Sequence, residues 1–541
     1  MIGSVAGQGN NDLKRLNIFY FSDYHGNIPA YRHLKEASDE FDRKNKHTES
    51  LKLAGGDLAA GSDPKKRILL YRLLNKMNLD ASAVGNHEWD NGINFYGDFN
   101  QLFNKAPKLL FNKFISCNAD TPDNKLYKQE GLFQSKIITK NNKKYAIIGA
   151  TTFDKYQFEK CQIDDFEHTK QDISNEIQNL KKKDPSLDKF ILVSHLGIDV
   201  DKEIAKSVPD IDIIIGGHSH TLIKGVEQGK NLFMSPKNEP VLIVQAGNER
   251  GFGELSVEFD KDGKLDISKG HEPVNITKSI YDYKENIDVK DLEDKILPPA
   301  LSLGVLSRDI RPNNPLIEEN PLGTLNADAI KKKTKADIVL LNAGCFRAFI
   351  NAGKINQRNI EYCIPFSNHV MTIECSGKQI ADIIKLGVDS TIKENKNPGL
   401  YQVSGLKYTI TADNKVKNLY TVDKNGKKDT EIIDSQGKLT DKGANEGFKV
   451  ALTDFVIVEI AKRGILKDFV KTEDNKLKVD KKKIIKKHDQ QTKILIDYLK
   501  DEFVDKNRPI DFETGRITFE KSEKPEGVSF LSLLNKYTRQ S

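Results

Sequence analysis

The chain has 541 residues, 84 basic against 78 acidic side chains, and a net charge of +6. That length can bury more than one core, and two large domains are expected, while charges that nearly cancel demand neither a nucleic acid nor a membrane as partner. Cys117, Cys161, Cys345, Cys363 and Cys375 are scattered and form no C-x-x-C pair, which argues against a thiolate zinc knuckle or a disulfide framework.

Met1 to Leu16 contains no apolar run, and no stretch approaches the ~20 apolar residues of a membrane span. The sequence as written is therefore expected to be cytoplasmic, or periplasmic or secreted if the N-terminus is incomplete. In chain order, Leu16–Phe21 is a short apolar run that suits a buried strand and ends at Ser22-Asp23-Tyr24-His25-Gly26-Asn27. Ser50–Ala54 is a second strand running into Gly55-Gly56-Asp57. Ala81–Val84 leads to Gly85-Asn86-His87-Glu88-Trp89-Asp90. Phe190–Val193 leads to Ser194-His195, and Ile213–Ile215 leads to Gly216-Gly217-His218-Ser219-His220.

Helical patterns such as Gln171–Lys183 lie between these runs and predict β-α-β units, hence an α/β fold with ligands beyond the carboxyl ends of the strands. Five strand ends then converge on one rim. Asp23, His25, Asp57, Asn86, His195, His218 and His220 are oxygen and imidazole donors with no thiolate among them, which suits divalent Mn, Zn, Fe, Co or Ni. Seven donors exceed the four of a closed zinc site and fit two metals sharing a bridging carboxylate.

These five loops resemble the sequence blocks of the calcineurin-like metallophosphoesterases. Gly85–Asp90 and Gln245-Ala246-Gly247 resemble the branch that holds 5′-nucleotidases and UDP-sugar hydrolases. The resemblance implies a four-layer α-β-β-α sandwich over residues 14–285, two divalent metal ions with Asp57 bridging, and His87 with Asp90 as the catalytic pair.

Beyond the strand-like Glu254–Phe259 the chain is charged and irregular, and a helical stretch, Val289–Leu297, stops at Pro298-Pro299, which cannot continue a helix. Residues 286–300 are expected to link two domains. Asn320 then caps and Pro321 opens a helix with Leu322, Leu325 and Ala329 on one face. Ile338–Leu341 is a strand ending at Asn342-Ala343-Gly344-Cys345-Phe346-Arg347.

This block, Ile364–Asn368, Val403–Leu406 and Gly515-Arg516-Ile517 resemble the α+β C-terminal substrate domain of the 5′-nucleotidases, placed at 301–520 with a tail at 521–541. The resemblance implies that Asn342 and Arg347 hold substrate while Phe366 and Phe455 stack on a base. Three departures stand out. Ala343 and Cys345 replace glycines; the nearest arginines before Asn320, Arg308 and Arg311, lie further upstream than in the family; and no Gly-Gly-Asp-Gly loop follows Phe455, so a ribose-binding carboxylate is missing.

The lysine-rich stretch Lys481–Lys487 reads first as a solvated face, and nothing aromatic interleaves it for strand binding. The expected partner is a small phosphate ester, a nucleotide by resemblance, with no nucleic acid and no membrane span. The expected reaction is phosphomonoester hydrolysis by metal-activated hydroxide. The alternatives are a cyclic-nucleotide or UDP-sugar phosphodiesterase, a thiosulfohydrolase on the same scaffold, or a two-domain binding protein without catalysis.

Overall fold

The computed structural model describes residues 15–61, 63–90, 113–120, 132–153, 162–163, 165–310, 316–393, 399–473 and 476–520. Arg311, Cys161 and the expected tail at 521–541 lie outside the described residues. The chain divides into two compact units that meet between Pro299 and Ala300.

The first unit opens with β1 (Leu16–Phe21), α1 (Ile28–Lys44), β2 (Glu49–Ala54), α2 (Pro64–Lys76), β3 (Ala81–Ala83) and β4 (Phe114–Ile115). It continues with β5 (Ser135–Lys140), β6 (Lys143–Thr151), α3 (Phe166–Lys183), β7 (Phe190–His195), α4 (Ile198–Ser207) and β8 (Ile213–Ile215). It closes with β9 (Leu232–Met234), β10 (Pro240–Val244), β11 (Gly251–Val257), β12 (Val274–Ser279) and α5 (Ile287–Ile296).

Two six-stranded sheets result, ordered β12-β11-β1-β2-β3-β4 and β9-β10-β8-β7-β6-β5. In each, four neighbouring strands run parallel: β1, β2, β3 and β4 in the first, and β10, β8, β7 and β6 in the second. Leu16, Ile18, Tyr20, Leu51 and Leu53 of one sheet meet Ile147, Ile191, Val193, Ile213 and Ile215 of the other in a shared core. The alternate residues of β1 face outward, so Phe19 packs on Phe41 of α1 with ring centroids 5.5 Å apart.

On the other side, Phe190, Leu192 and Ile214 bury Ile173, Ile177 and Leu180 of α3. Side chains alternate across a strand, and both faces here are apolar, so each sheet is covered twice and the layers stack α-β-β-α. Each large apolar side chain so buried contributes roughly 1.5–3 kcal/mol.

The helix expected between the domains, α5, packs within the first unit. Asn286 caps it onto the Asp288 N–H (3.2 Å), Glu293 accepts from Arg32 Nη2 (2.7 Å), and Val289 is fully buried.

The second unit contains α6 (Pro321–Thr334), β13 (Ile338–Asn342), α7 (Gln357–Cys363), β14 (His369–Ser376), α8 (Gly377–Val388), β15 (Tyr401–Ser404), β16 (Leu406–Ile410), β17 (Val416–Val422) and β18 (Lys428–Ile433). These are followed by β19 (Gly447–Thr453), α9 (Asp454–Lys462), β20 (Val470–Glu473), β21 (Lys476–Val479), β22 (Lys486–Gln490), α10 (Gln491–Leu499) and β23 (Ile517–Phe519).

Asn320 accepts from the Leu322 and Gly323 N–H groups, and Pro321 opens the helix as its missing N–H permits. A five-stranded sheet, β15-β13-β19-β14-β22, packs α6 and α10 on one face; the other face packs α8, α9 and a four-stranded sheet, β18-β17-β16-β23. Among the described helices none is long and apolar enough to cross a membrane.

Candidate active site

Because β1, β2 and β3 are parallel neighbours, their carboxyl ends share one edge, and the same holds for β7 and β8 in the second sheet. The two edges meet backbone to backbone. A Cβ on Gly217 would lie 2.3 Å from the Gly55 carbonyl oxygen, so a side chain at that position would force the loops apart.

The ligand-bearing loops are tightly curled. Asp23 (φ 59°), His25 (48°), Asp57 (51°), His218 (72°) and His220 (53°) all occupy the left-handed region, uncommon for residues other than glycine. Backbone hydrogen bonds hold them there: Asp23 N–H to Gly56 O (3.0 Å), His25 N–H to Asp57 O (2.9 Å) and Gly26 N–H to Leu58 O (2.8 Å).

The seven donors inferred from the strand ends come together. Donor atoms of Asp23, His25 and His220 lie within 4.8 Å of one another, as do those of Asp23, Asp57 and His195. His25 Nε2 and His195 Nε2 sit 3.5 and 3.2 Å from the same Asp57 Oδ2. Asn86 Oδ1 lies 3.1 Å from both His195 Nε2 and His218 Nδ1. Two donor sets follow, Asp23, His25, Asp57 and His220 on one side and Asp57, Asn86, His195 and His218 on the other, with Asp57 common to both.

The electrostatics fit cations. Asp23 Oδ2 is buried and has no hydrogen-bond partner, an arrangement that is costly for a carboxylate unless a positive charge faces it. Burial opposes a charge on His195, yet Asp57 and Asp23 outweigh that and push its pKa up to about 10. The Asp57 carboxyl, although buried, is held well below the ordinary carboxylate range by His195 and His87. His218, penalised by burial and by His195, falls to about 4 and stays a neutral donor. His195 Nδ1 donates to Gly55 O (2.7 Å), so Nε2 faces the carboxylates, where a bound cation would take the place of its proton. The residues present therefore fit two divalent ions bound by N and O donors.

His87 occupies the single turn His87–Trp89, with Nδ1 3.1 Å from both oxygens of Asp90. Its ring also falls in a group with His25 and Asp57 close enough to hold an ion.

Two residues missed from the sequence hold this architecture. Glu88 is fully buried and accepts four backbone N–H bonds, from Asp57 (2.9 Å), Leu58 (2.8 Å), Ala59 (3.0 Å) and Gly85 (2.6 Å). Burial, with Asp57 beside it, pushes its pKa up to about 7. The buried Arg67 of α2 donates to Gly61 O, His87 O and Glu88 O, tying the second and third loops together. The Glu88 signal was present in the loop motif, but its partners are main-chain groups that no side-chain pattern reveals. Gln245, singled out only by resemblance, accepts from the Ser219 hydroxyl (3.0 Å) between His218 and His220.

In the second unit, Asn342 ends β13 and is buried. The Arg347 N–H donates to Cys363 O (2.7 Å), and its guanidinium carbon lies 5.5 Å from the Phe366 ring centroid. Phe455 opens α9 with its ring 43% exposed. Asp454 Oδ1 accepts from the His369 N–H (3.1 Å), fastening the start of α9 to the segment that follows Phe366.

The calcineurin-like phosphoesterase family profile matches residues 16–222, and the profile of the 5′-nucleotidase C-terminal domain matches 302–459. The chain carries a calcineurin-like phosphoesterase domain followed by a 5′-nucleotidase C-terminal domain. A trifunctional nucleotide phosphoesterase of Bacillus subtilis is 26% identical over 444 residues, 74% of this chain but only 29% of that longer protein. A 5′-nucleotidase of Vibrio cholerae is 27% identical over 68% of this chain and 72% of its own length. The crystal structure of a 5′-nucleotidase precursor from Thermus thermophilus shares the fold, with a TM-score of 0.70 at 20% identity, covering 94% of this chain and 100% of that one. The chain is thus a metal-dependent phosphoesterase of the 5′-nucleotidase type, and the two donor sets match the two divalent metals such enzymes use.

Proposed function

We propose that this protein hydrolyses nucleoside 5′-phosphates to nucleoside and phosphate. The observation that carries this reading is the pair of donor sets joined at Asp57, beside an imidazole held by its own carboxylate. Asp23, His25, Asp57 and His220 would hold one ion, and Asp57, Asn86, His195 and His218 the other. When bound, such ions lower the pKa of water towards ~7 and polarise phosphoryl oxygens.

The chain's own groups do the rest. Asp90 orients His87 so that its Nε2 can give a proton to the ester oxygen leaving as alkoxide, or offset charge on the transferring phosphoryl group. In the second unit, Arg347 offers a cation to an anionic group of the substrate, and Phe366 and Phe455 offer flat apolar faces to a base. Asn342, at the head of the same loop as Arg347, supplies an amide to the substrate.

A second reading is phosphodiester hydrolysis on the same scaffold, favoured by the Bacillus relative, whose name records more than one nucleotide phosphoesterase activity. A non-catalytic binding protein is the weaker reading, because binding alone would not require all seven donors. Hydrolysis rates on AMP, UMP, UDP-glucose, 2′,3′-cyclic AMP and bis-(p-nitrophenyl) phosphate, with metal analysis of the same preparation, decide among them. AMP or UMP should be the fastest substrates, and a faster diester would replace this reading with the second.

A further inference from the structure

Residues 461–490 contain 11 basic and 5 acidic side chains, a net +6 that equals the charge of the whole chain and leaves the remainder neutral. The segment lies just beyond residue 459, where the match to the C-terminal domain profile ends. It leaves α9, forms the hairpin β20–β21, turns at Asp480–Lys483 and returns as β22, the edge strand of the five-stranded sheet.

Its apolar residues anchor it. Phe469, Val470, Val479 and Ile484 pack against the core, and the Ile485 N–H donates to Thr372 O (2.8 Å). The alternate residues Lys471 and Lys478 form a cross-strand pair on the opposite face of the hairpin.

Within this segment Lys462, Lys471 and Lys478 pair with Glu459 or Glu473, whereas among the described residues the lysines of the turn and the edge strand make no such pair. On helices lysines are commonly paired one turn away, as in Lys35–Asp39, Lys378–Asp382 and Lys493–Asp497. Among the described residues, no acidic side chain lies within ion-pair reach of Lys481, Lys482, Lys483, Lys486 or Lys487. Burial first, and then the positive charges of Lys486 and Lys333, hold His488 below its ordinary pKa, so the basic field extends to the C-terminal turn of α6.

Edge protection accounts for Lys486 and Lys487, because charged side chains on an edge strand block pairing with another chain. It does not account for the three lysines of the turn. Nor does it account for Ile485, whose side chain is 52% exposed beside them, since an exposed aliphatic group on an edge works against protection. Unpaired ammonium groups around an exposed branched aliphatic side chain suit a surface that is anionic outside and apolar beneath. Base stacking favours large aromatic faces, and the turn and edge strand hold no Phe, Tyr or Trp; the His488 ring is tied to the Thr372 hydroxyl.

We propose that the turn at Asp480–Lys483 and the edge strand β22 dock this protein onto an anionic lipid surface, with the lysines on phosphate headgroups and Ile485 at the headgroup–acyl boundary.

Flotation of the full-length chain with vesicles tests this. Binding should be strong to phosphatidylcholine containing about 30% phosphatidylglycerol, absent with phosphatidylcholine alone, and lost when salt is raised from about 0.05 M to about 0.5 M. Each lysine removed should weaken binding roughly fivefold. The triple variant Lys481→Glu/Lys482→Glu/Lys486→Glu should therefore lose binding by at least ~100-fold while nucleotide hydrolysis is unchanged. Ile485→Ser should weaken binding at both salt concentrations. A matched triple substitution at Lys424, Lys427 and Lys428 should leave binding intact. Absence of binding to the anionic vesicles at low salt overturns the proposal, as does equal loss in both triple variants. Tighter binding to a single-stranded oligonucleotide than to the vesicles, abolished by the same triple variant, would assign the face to nucleic acid instead.

Discussion

His87 Nδ1 stands 3.1 Å from each carboxylate oxygen of Asp90, across one turn of the loop that also carries Asn86. Asp90 is itself fixed by the Gly61 N–H (2.6 Å), so the imidazole is oriented from outside the donor sets. His87→Ala should leave metal content near normal while kcat falls about 10²-fold or more. Metal analysis beside steady-state kinetics checks this, and loss of metal in the variant would make His87 a ligand.

Chelation should abolish hydrolysis, and Mn²⁺ or Co²⁺ should restore it as occupancy approaches two ions per chain. Asp57→Ala, which removes the oxygen common to both donor sets, should cost both ions rather than one. Full activity in protein stripped far below one metal per chain would refute metal dependence.

Glu88→Gln replaces two accepting oxygens by one and turns an amide donor towards N–H groups that are already donors. Stranding a buried donor costs ~1–3 kcal/mol, and two are stranded here, so Tm should drop by roughly 2–4 °C per kcal/mol lost. Calorimetry of the metal-free protein isolates this effect from metal affinity. An unchanged Tm would mean that the four N–H contacts contribute nothing net.

Asp212, at the head of β8, is buried and accepts from the Phe190 N–H (2.8 Å), and burial pushes its pKa up to about 8. An unfolded aspartate titrates near ~3.9. The folded state therefore keeps the proton longer, and the stability this group contributes below pH ~4 is lost progressively as pH rises towards about 8. Asp212→Asn retains an acceptor without the charge, so it should raise Tm at pH 8 by several degrees and leave Tm near pH 4 unchanged. Thermal melts at the two pH values distinguish this from a uniform gain, which would point to packing instead.

The sequence after Phe455 has no Gly-Gly-Asp-Gly motif, so on the proposed reading the base is held by stacking with no ribose-binding carboxylate from that motif, and stacking alone tolerates variation. The ratio of kcat/KM for AMP over dAMP should stay below ~10. A ratio above ~10³ would assign the ribose contact to another group, with Asp454 and Glu459 as the first candidates.

Much of the first unit was legible because each chemical group follows an apolar run, and parallel strands put those groups on one edge. Asp23, Asp57 and His195 needed only that reasoning. Glu88 and Arg67 did not yield to it, because their partners are carbonyl and N–H groups of loops distant in sequence. The helix before Pro298 was legible as a helix, but its place within the first unit depends on Arg32, more than 250 residues earlier. In the second unit the cap at Asn320 and the strand before Asn342 were plain. The contact of Arg347 with Phe366 was not, since spacing cannot show which of several aromatic residues a guanidinium will cover.

The left-handed backbone at Asp23, His25, Asp57, His218 and His220 also bears on how such a site decays over evolutionary time. A residue held at positive φ carries a strain of order 1 kcal/mol that glycine does not feel and asparagine feels little. Once selection for hydrolysis lapses, glycine or asparagine at these positions should be favoured simply because the fold becomes more robust. An inactive descendant is then expected to melt higher than its working ancestor, with its losses concentrated at these five positions. Asn86, in an ordinary right-handed conformation, would outlast them.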